Sequence, residues 1–372
     1  MSSRNAQAGD EVTLIFGLTK AELWPVVEEA AGEAIASFDI FLEHQPPEPY
    51  GAAGEKEIPT FGYVTETGRT GRVTVFVKRY NNAGPAEVRQ YRFLLGHQAP
   101  IPRLYGALVD PEGREMLFIE YLDSSRAARS SAYRGDGLLG FLALMARFQA
   151  VVPSEEFTVW LRRDASGLCD RLAGAEPALE QIWEHSAKGE MGQDLQGFCS
   201  SSGRAFIQIR TLVRQVIERS SEMPQALLHS DFSVENTGLR ESGERLVMDV
   251  GSICLGPRFF DVAGILGIPS ERWYRDLSRK ELARHYLGEY ARWGGTPPPI
   301  DAFLRDMGIL WLAGDLRYLG LNLERAFGRN WGTTPATEDD YRACRIHLYR
   351  TLHLLLAQYL MRGTRCSVLD RR

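Results

Sequence analysis

Apolar and polar positions alternate over short runs in the first third of the chain and recur at helical spacing over most of the rest. Thr19-x-x-Glu22 reads as a capping box that opens a helix through about Ala34. FDIFL (Phe38 to Leu42), FGYVTET and RVTVFVKRY predict strands, the last two joined by a turn at Gly68 to Gly71. The stretch HQPPEPYGAAGEKEIP is rich in Pro and Gly and predicts a loop. AEVRQYRFLL sets Val88, Tyr91 and Leu95 on one helical face, and IPRLY and EMLFIEYLD predict two further strands. From Gly137 onward helical patterns dominate. GLLGFLALMARFQAVV predicts a buried helix, residues 154–224 hold helical segments broken around Gly189 to Gly197 and at Pro224, and several helices fill Arg279 to Gly363.

One stretch interrupts this pattern with chemistry: LLHSDFSVENTGLRESGERLVMDVGSICLG, Leu227 to Gly256. Asp231, Asn236 and Asp249 stand against an apolar background. TGLR and RLVMD flank a polar ESGE turn and predict a hairpin. A two-residue turn at Ser242-Gly243 pairs Leu239 with Leu246 and Asn236 with Asp249, and directly opposed residues have Cα atoms about 4.5–5.5 Å apart. Oxygen donors of this kind suit Mg²⁺, which takes one or two protein ligands and completes its shell with water and phosphate. The spacing His229-x-Asp231-x-x-x-x-Asn236, followed by Asp249-x-Gly251, is the catalytic arrangement of protein kinases. The alternative is a surface hairpin whose Asn and Asp serve turns; four matching positions in order favour the first reading.

The same stretch resembles the aminoglycoside phosphotransferase and choline kinase family, whose usual form is H-G-D-x-x-x-x-N, a hydrophobic strand ending I-D, then G-P and D-L-A. This chain has HSDFSVEN, LVMD, Gly256-Pro257 and Asp261-Val262-Ala263. The resemblance implies an α+β, protein-kinase-like two-lobed fold, with a small N-terminal sheet lobe (1–122) and a larger, mainly helical lobe (123–372). It implies ATP- or GTP-dependent phosphorylation of a hydroxyl on a small molecule. Asp231 would orient that hydroxyl and accept its proton, and Asn236 and Asp249 would bind Mg²⁺. Lys78 lies in a β-branched run where lysine is disfavoured; it reads either as an edge-strand guard or as a cation for nucleotide phosphates. Glu87, the only acidic residue between Lys78 and Asp110, reads either as a solvent-facing helical glutamate or, leaning on the Asp231 to Asp249 motif, as the carboxylate that would position Lys78. Glu120 and Leu122 lie in the connector Ile119 to Leu122, which the resemblance implies offers backbone groups to adenine. Gly51 and Gly54 suit either a phosphate-covering loop or a plain surface loop. Asp261 reads as an N-cap and, by the resemblance, as a brace for the Asp231 loop. His229 reads as a packed structural residue rather than a base.

Two departures stand out: Ser230 replaces the family's glycine, and Ser233-Val234-Glu235 precedes the Asn. They leave open a kinase-like protein that binds nucleotide or a partner without turnover. Phosphorylation of a protein is disfavoured, because the run from Gly251 to Asp261 is short and no A-P-E sequence follows.

Composition bounds rather than selects. The 372 residues are 24% charged and 44% hydrophobic, the values of an ordinary globular chain with room for two lobes. A net charge of −5 argues against a general nucleic-acid binder. Cys169, Cys199, Cys254, Cys344 and Cys366 form no CxxC pair. MSSRNAQAGDEV lacks an apolar signal core and no apolar run reaches about 18–20 residues, so a cytoplasmic protein off the membrane is expected. Asp315, Glu324 and Glu338 to Asp340 could meet a basic substrate. Arg317, Arg325 and Arg329 lie among them, and solvated helix faces are the reading. A sugar, an amino acid, an amino alcohol or an aminoglycoside fits equally.

Overall fold

The computed structural model describes residues 15–44, 55–80, 86–122, 135–164, 167–188, 203–267, 277–326 and 337–362. Gly51, Gly54, the segment 123–134 and Arg329 lie outside them. The chain divides into two units, one of Met1–Ala128 with Glu235–Gly251, the other of Arg129–Val234 with Ser252–Arg372.

In the first unit, α1 (Lys20–Ala31) begins at the expected capping box: Thr19 Oγ1 accepts from the Glu22 N–H, and the Glu22 carboxylate accepts from the Thr19 N–H. It stops three residues short of the expected end. The strands β1 (Ile35–His44), β2 (Glu55–Thr65), β3 (Thr70–Arg79), β4 (Leu104–Val109) and β5 (Glu115–Glu120) form one antiparallel sheet in the order β1-β2-β3-β5-β4. α2 (Ala86–Gly96) lies between β3 and β4 in the chain. Leu23, Val26 and Val27 of α1 pack on Phe38, Phe61, Val75, Val77 and Phe118 of the sheet. Period-two alternation therefore turns Lys78 away from the α1 side.

The Pro- and Gly-rich stretch was expected to be loop throughout, yet Glu55 to Pro59 are in β2. Pro59 is tolerated because the ladder is interrupted there. The β1 register shifts between Phe41 and His44, and the β3 pairing resumes only at Thr60.

The second unit is built from α3 (Gly135–Gln149), α4 (Glu155–Asp164), α5 (Leu168–Ala173), α6 (Ala175–Ala187), α7 (Gly203–Glu222), α8 (Phe260–Leu266), α9 (Arg279–Arg292), α10 (Ile300–Leu316), α11 (Leu319–Ala326) and α12 (Glu338–Arg362). Its core joins Phe141 and Met145 of α3 to Leu266, Tyr286, Phe303 and Leu310. Within it, β6 (Gln225–Leu228) pairs antiparallel with β9 (Cys254–Pro257). Gln149 donates to the Leu227 carbonyl at 2.8 Å, anchoring the pair to α3. No helix of the described residues is long and apolar enough to cross a membrane.

The hairpin of β7 (Thr237–Leu239) and β8 (Arg245–Val247) groups with the first unit, although it follows residue 122 by more than a hundred positions. The Val247 N–H donates to the Pro100 carbonyl at 2.7 Å, and Arg240 clamps the Glu120 carboxylate at 2.7 and 2.8 Å. The expected register is off by one. Thr237 pairs with Val247 and Leu239 with Arg245, so Asn236 faces Met248, not Asp249. The cause is the turn. Gly243 adopts φ +84° after a turn closed from Arg240, so the loop holds three residues and a bulge rather than two residues. Asp249 falls just past the ladder, itself left-handed at φ +54°.

Candidate active site

The first unit brings Lys78, Glu87 and Asp249 together. The Lys78 ammonium donates to Glu87 Oε2 at 2.7 Å and to Asp249 Oδ1 at 2.9 Å, 171 residues away in the chain. Lys78 and Glu87 are buried, with side-chain exposures of 7% and 6%, whereas Asp249 is 54% exposed. Burial alone would pull the Lys78 pKa down; Glu87 and Asp249 more than offset it and hold it above its ordinary value. Tyr80, two residues on and so on the same strand face, donates its hydroxyl to Glu87 at 2.6 Å. Burial and the Glu87 charge push that phenol far up, so it stays a donor. Across the ladder Lys56 sits directly opposite Lys78, which sets a second lysine on the same face.

Gly251 has a packing reason. A Cβ there would lie 2.9 Å from Glu87 Oε2, the oxygen already held by Lys78 and Tyr80. Gly251→Ala is therefore expected to displace the Glu87 carboxylate and loosen the lysine. A thermal scan should show a lower midpoint, and an unchanged midpoint would refute the packing argument.

In the second unit the loop after β6 presents Asp231. His229 is fully buried and packs against Phe148 and Phe232, with ring centroids 5.7 and 5.3 Å away. Ser230 is left-handed at φ +63°, a conformation that favours glycine. Three contacts hold it there. The Asp261 carboxylate accepts from the His229 and Ser230 N–H groups at 2.8 and 3.0 Å. The Ser230 hydroxyl donates to the Ser252 carbonyl at 2.8 Å. Arg317 donates to the Ser230 carbonyl at 2.6 Å, with its guanidinium over the Phe260 and Tyr318 rings. Asp231 itself is exposed. Asp261 is not the N-cap that sequence suggested. Phe259 caps α8 at φ +73°, and Asp261 sits in the first turn with its carboxylate turned to the neighbouring loop.

Asp231 borders a cavity of about 290 Å³ within the second unit, lined by α8, α10, α11 and α12. Trp311, Asp315 and Tyr318 recur at helical spacing along its wall, facing His347 and Arg350.

Comparison with solved structures then decides the fold. A candidate aminoglycoside phosphotransferase from Ralstonia eutropha aligns over 90% of this chain and 97% of its own, at TM-score 0.50 and 17% identity. Plasmodium vivax ethanolamine kinase aligns over 86% and 83%, at TM-score 0.52 and 12% identity. This chain has the protein-kinase-like fold. No family model matches it, and no curated protein matches it in sequence.

On this kinase-like fold the residues expected from sequence separate by unit. Lys78, Glu87, Asn236 and Asp249 lie in the first unit and Asp231 in the second. Asn236 is half-buried. Glu120 ends β5 with its carboxylate on Arg240 and its N–H on the Arg103 carbonyl; Leu122 is buried. Tyr80 carried a single signal in the sequence, its two-residue offset from Lys78. Arg317, read from sequence as part of a solvated helix face, instead holds the Ser230 carbonyl; nothing local signalled this, because the two residues are 87 positions apart.

Asp315 was expected on a solvated face, but its side chain is only 18% exposed. Burial pushes its carboxyl up against the opposing pull of Arg350, His347 and Arg317. A carboxyl held higher folded than unfolded makes the fold bind its proton more tightly. Stability then falls as pH rises from about 4, the unfolded value, through the folded one. Asp315→Asn should accordingly be more stable than the parent at pH 7 and lose that advantage near pH 4. Urea titrations at the two pH values check this, and an unchanged difference would exclude it.

Proposed function

We propose that the protein is an ATP-dependent phosphotransferase acting on the hydroxyl of a small molecule in the cytoplasm. The observation that carries this reading is the Lys78 ammonium held between a buried and a half-exposed carboxylate. A lysine so fixed is a preorganised cation for phosphate oxygens, and phosphoryl transfer is catalysed largely by positioning and electrostatics.

Glu87 and Tyr80 orient the ammonium. Asp249 and Asn236 fit a magnesium ion: both offer hard oxygen atoms, Asp249 is open to solvent, and such an ion needs only one or two protein ligands. Magnesium bound there would neutralise charge building on the phosphates. Asp231 accepts the proton of the attacking hydroxyl, and Asp261, Arg317 and Ser252 keep its loop in place. The cavity beside Asp231 takes the acceptor.

The test is thermal stability with ATP, with and without Mg²⁺, for the parent and Asp249→Asn. Nucleotide at about 100 times its dissociation constant should add roughly 2.7 kcal/mol. A Mg²⁺-dependent rise that disappears in Asp249→Asn is the expected result. A rise indifferent to both metal and Asp249, or no rise, would favour the non-catalytic kinase-like protein that the Ser230 and Glu235 departures leave open.

A further inference from the structure

The cavity beside Asp231 carries opposite charges on facing helices. Asp315 of α10 and Arg350 of α12 approach to 3.8 Å, beyond hydrogen-bond length. Asp315 Oδ2 is buried and accepts no hydrogen bond. Arg350 is 52% exposed, with more donors than this contact uses. The pair is open, with capacity left on each side for a third group.

Other charges in the wall are already engaged. Asp261 holds the two backbone N–H groups, and Arg317 holds the Ser230 carbonyl. Asp231 is taken by the acceptor hydroxyl under the phosphotransferase reading. What remains for the rest of an acceptor is Asp315, Arg350 and, beside them, His347. An acceptor bearing only an ammonium would meet Arg350 and His347 as well as Asp315. One bearing only an anion would meet Asp231 and Asp315. A molecule carrying both signs on neighbouring atoms satisfies the pair, and a cavity of about 290 Å³ holds one the size of an amino acid.

We propose that this cavity takes a hydroxylated α-amino acid as zwitterion, its ammonium on Asp315, its carboxylate on Arg350 and its hydroxyl at Asp231. The proposal rests on the phosphotransferase reading. In the reaction the side-chain oxygen bonds to the γ-phosphorus of ATP and the bond from that phosphorus to the bridging oxygen breaks. The hydroxyl proton passes to Asp231, and ADP leaves.

The test measures calorimetric binding and ADP release with ATP and Mg²⁺ for two amino acids and their truncations. L-serine is set against ethanolamine and 3-hydroxypropanoate, and L-homoserine against 3-aminopropan-1-ol and 4-hydroxybutanoate. At least one amino acid should bind about 10-fold or more tighter than both of its truncations, the scale of one modest polar contact. Arg350→Gln should erase the preference over the amino alcohol, and Asp315→Asn the preference over the hydroxy acid. Thermal midpoints of both variants confirm that they fold. Amino alcohols binding as well as the amino acids, no binding by either amino acid, or preferences untouched by the variants would overturn the proposal. The ATP response is read separately. If it is absent while an amino acid binds, the phosphotransferase reading fails and the zwitterion site stands.

Discussion

Asp231→Asn is expected to lower turnover by about 10²–10⁴-fold, the usual contribution of a positioned proton acceptor. The substitution preserves size at an exposed position, and Asp261, Ser252 and Arg317 continue to hold the loop through His229 and Ser230. Folding stability should therefore stay within about 0.5 kcal/mol, as for other surface changes. The nucleotide response should survive too, because Lys78, Glu87 and Asp249 belong to the other unit. The discriminating pattern is lost kcat with an undiminished Mg²⁺-ATP shift. Turnover within about threefold of the parent would remove Asp231 from the chemistry, given that scale of effect.

Lys78→Met should cost about 3–5 kcal/mol of stability, because it strands Glu87 as a buried carboxylate without its cation. Tyr80 still donates to that carboxylate, and one hydrogen bond does not replace a full charge. The double variant Lys78→Met/Glu87→Leu should recover most of the loss, since a buried ion pair exchanged for apolar side chains is often neutral. Neither variant should respond to Mg²⁺-ATP. Recovered stability without recovered nucleotide binding separates the lysine's role in the fold from its role toward phosphate. A double variant as unstable as the single one would contradict the buried-pair argument. The parent's Lys78 contribution is complete below about pH 10 and is lost only as pH rises through its higher folded pKa, so the comparison at pH 7 captures it whole.

The sequence by itself determined the features whose causes are local or periodic. The Thr19–Glu22 capping box set the start of α1 because donor and acceptor lie three residues apart. Period-two alternation set the strands around Lys78 and helical spacing set α2, whereas the Lys78–Glu87 pairing was legible only through the family resemblance of the Asp231 to Asp249 stretch. Turn chemistry was only half legible. Ser242-Gly243 marked the turn, but whether the glycine sits inside a two-residue loop or closes a three-residue one depends on the strands' twist and pairing, and one residue changed what faces Asn236. Strand β2 began inside a Pro-rich stretch because tertiary pairing overrode local preference. Only the tertiary structure brought Asp249 to Lys78, Arg317 to the Ser230 carbonyl and Arg350 toward Asp315. These contacts join residues 171, 87 and 35 positions apart, and no helical or strand period reaches that far. Burial did the rest. Asp315 reads in sequence as one more acid on a solvated helix, and the packing of α10 and α12 around the cavity turned it into a largely buried carboxylate with an oxygen still to be satisfied.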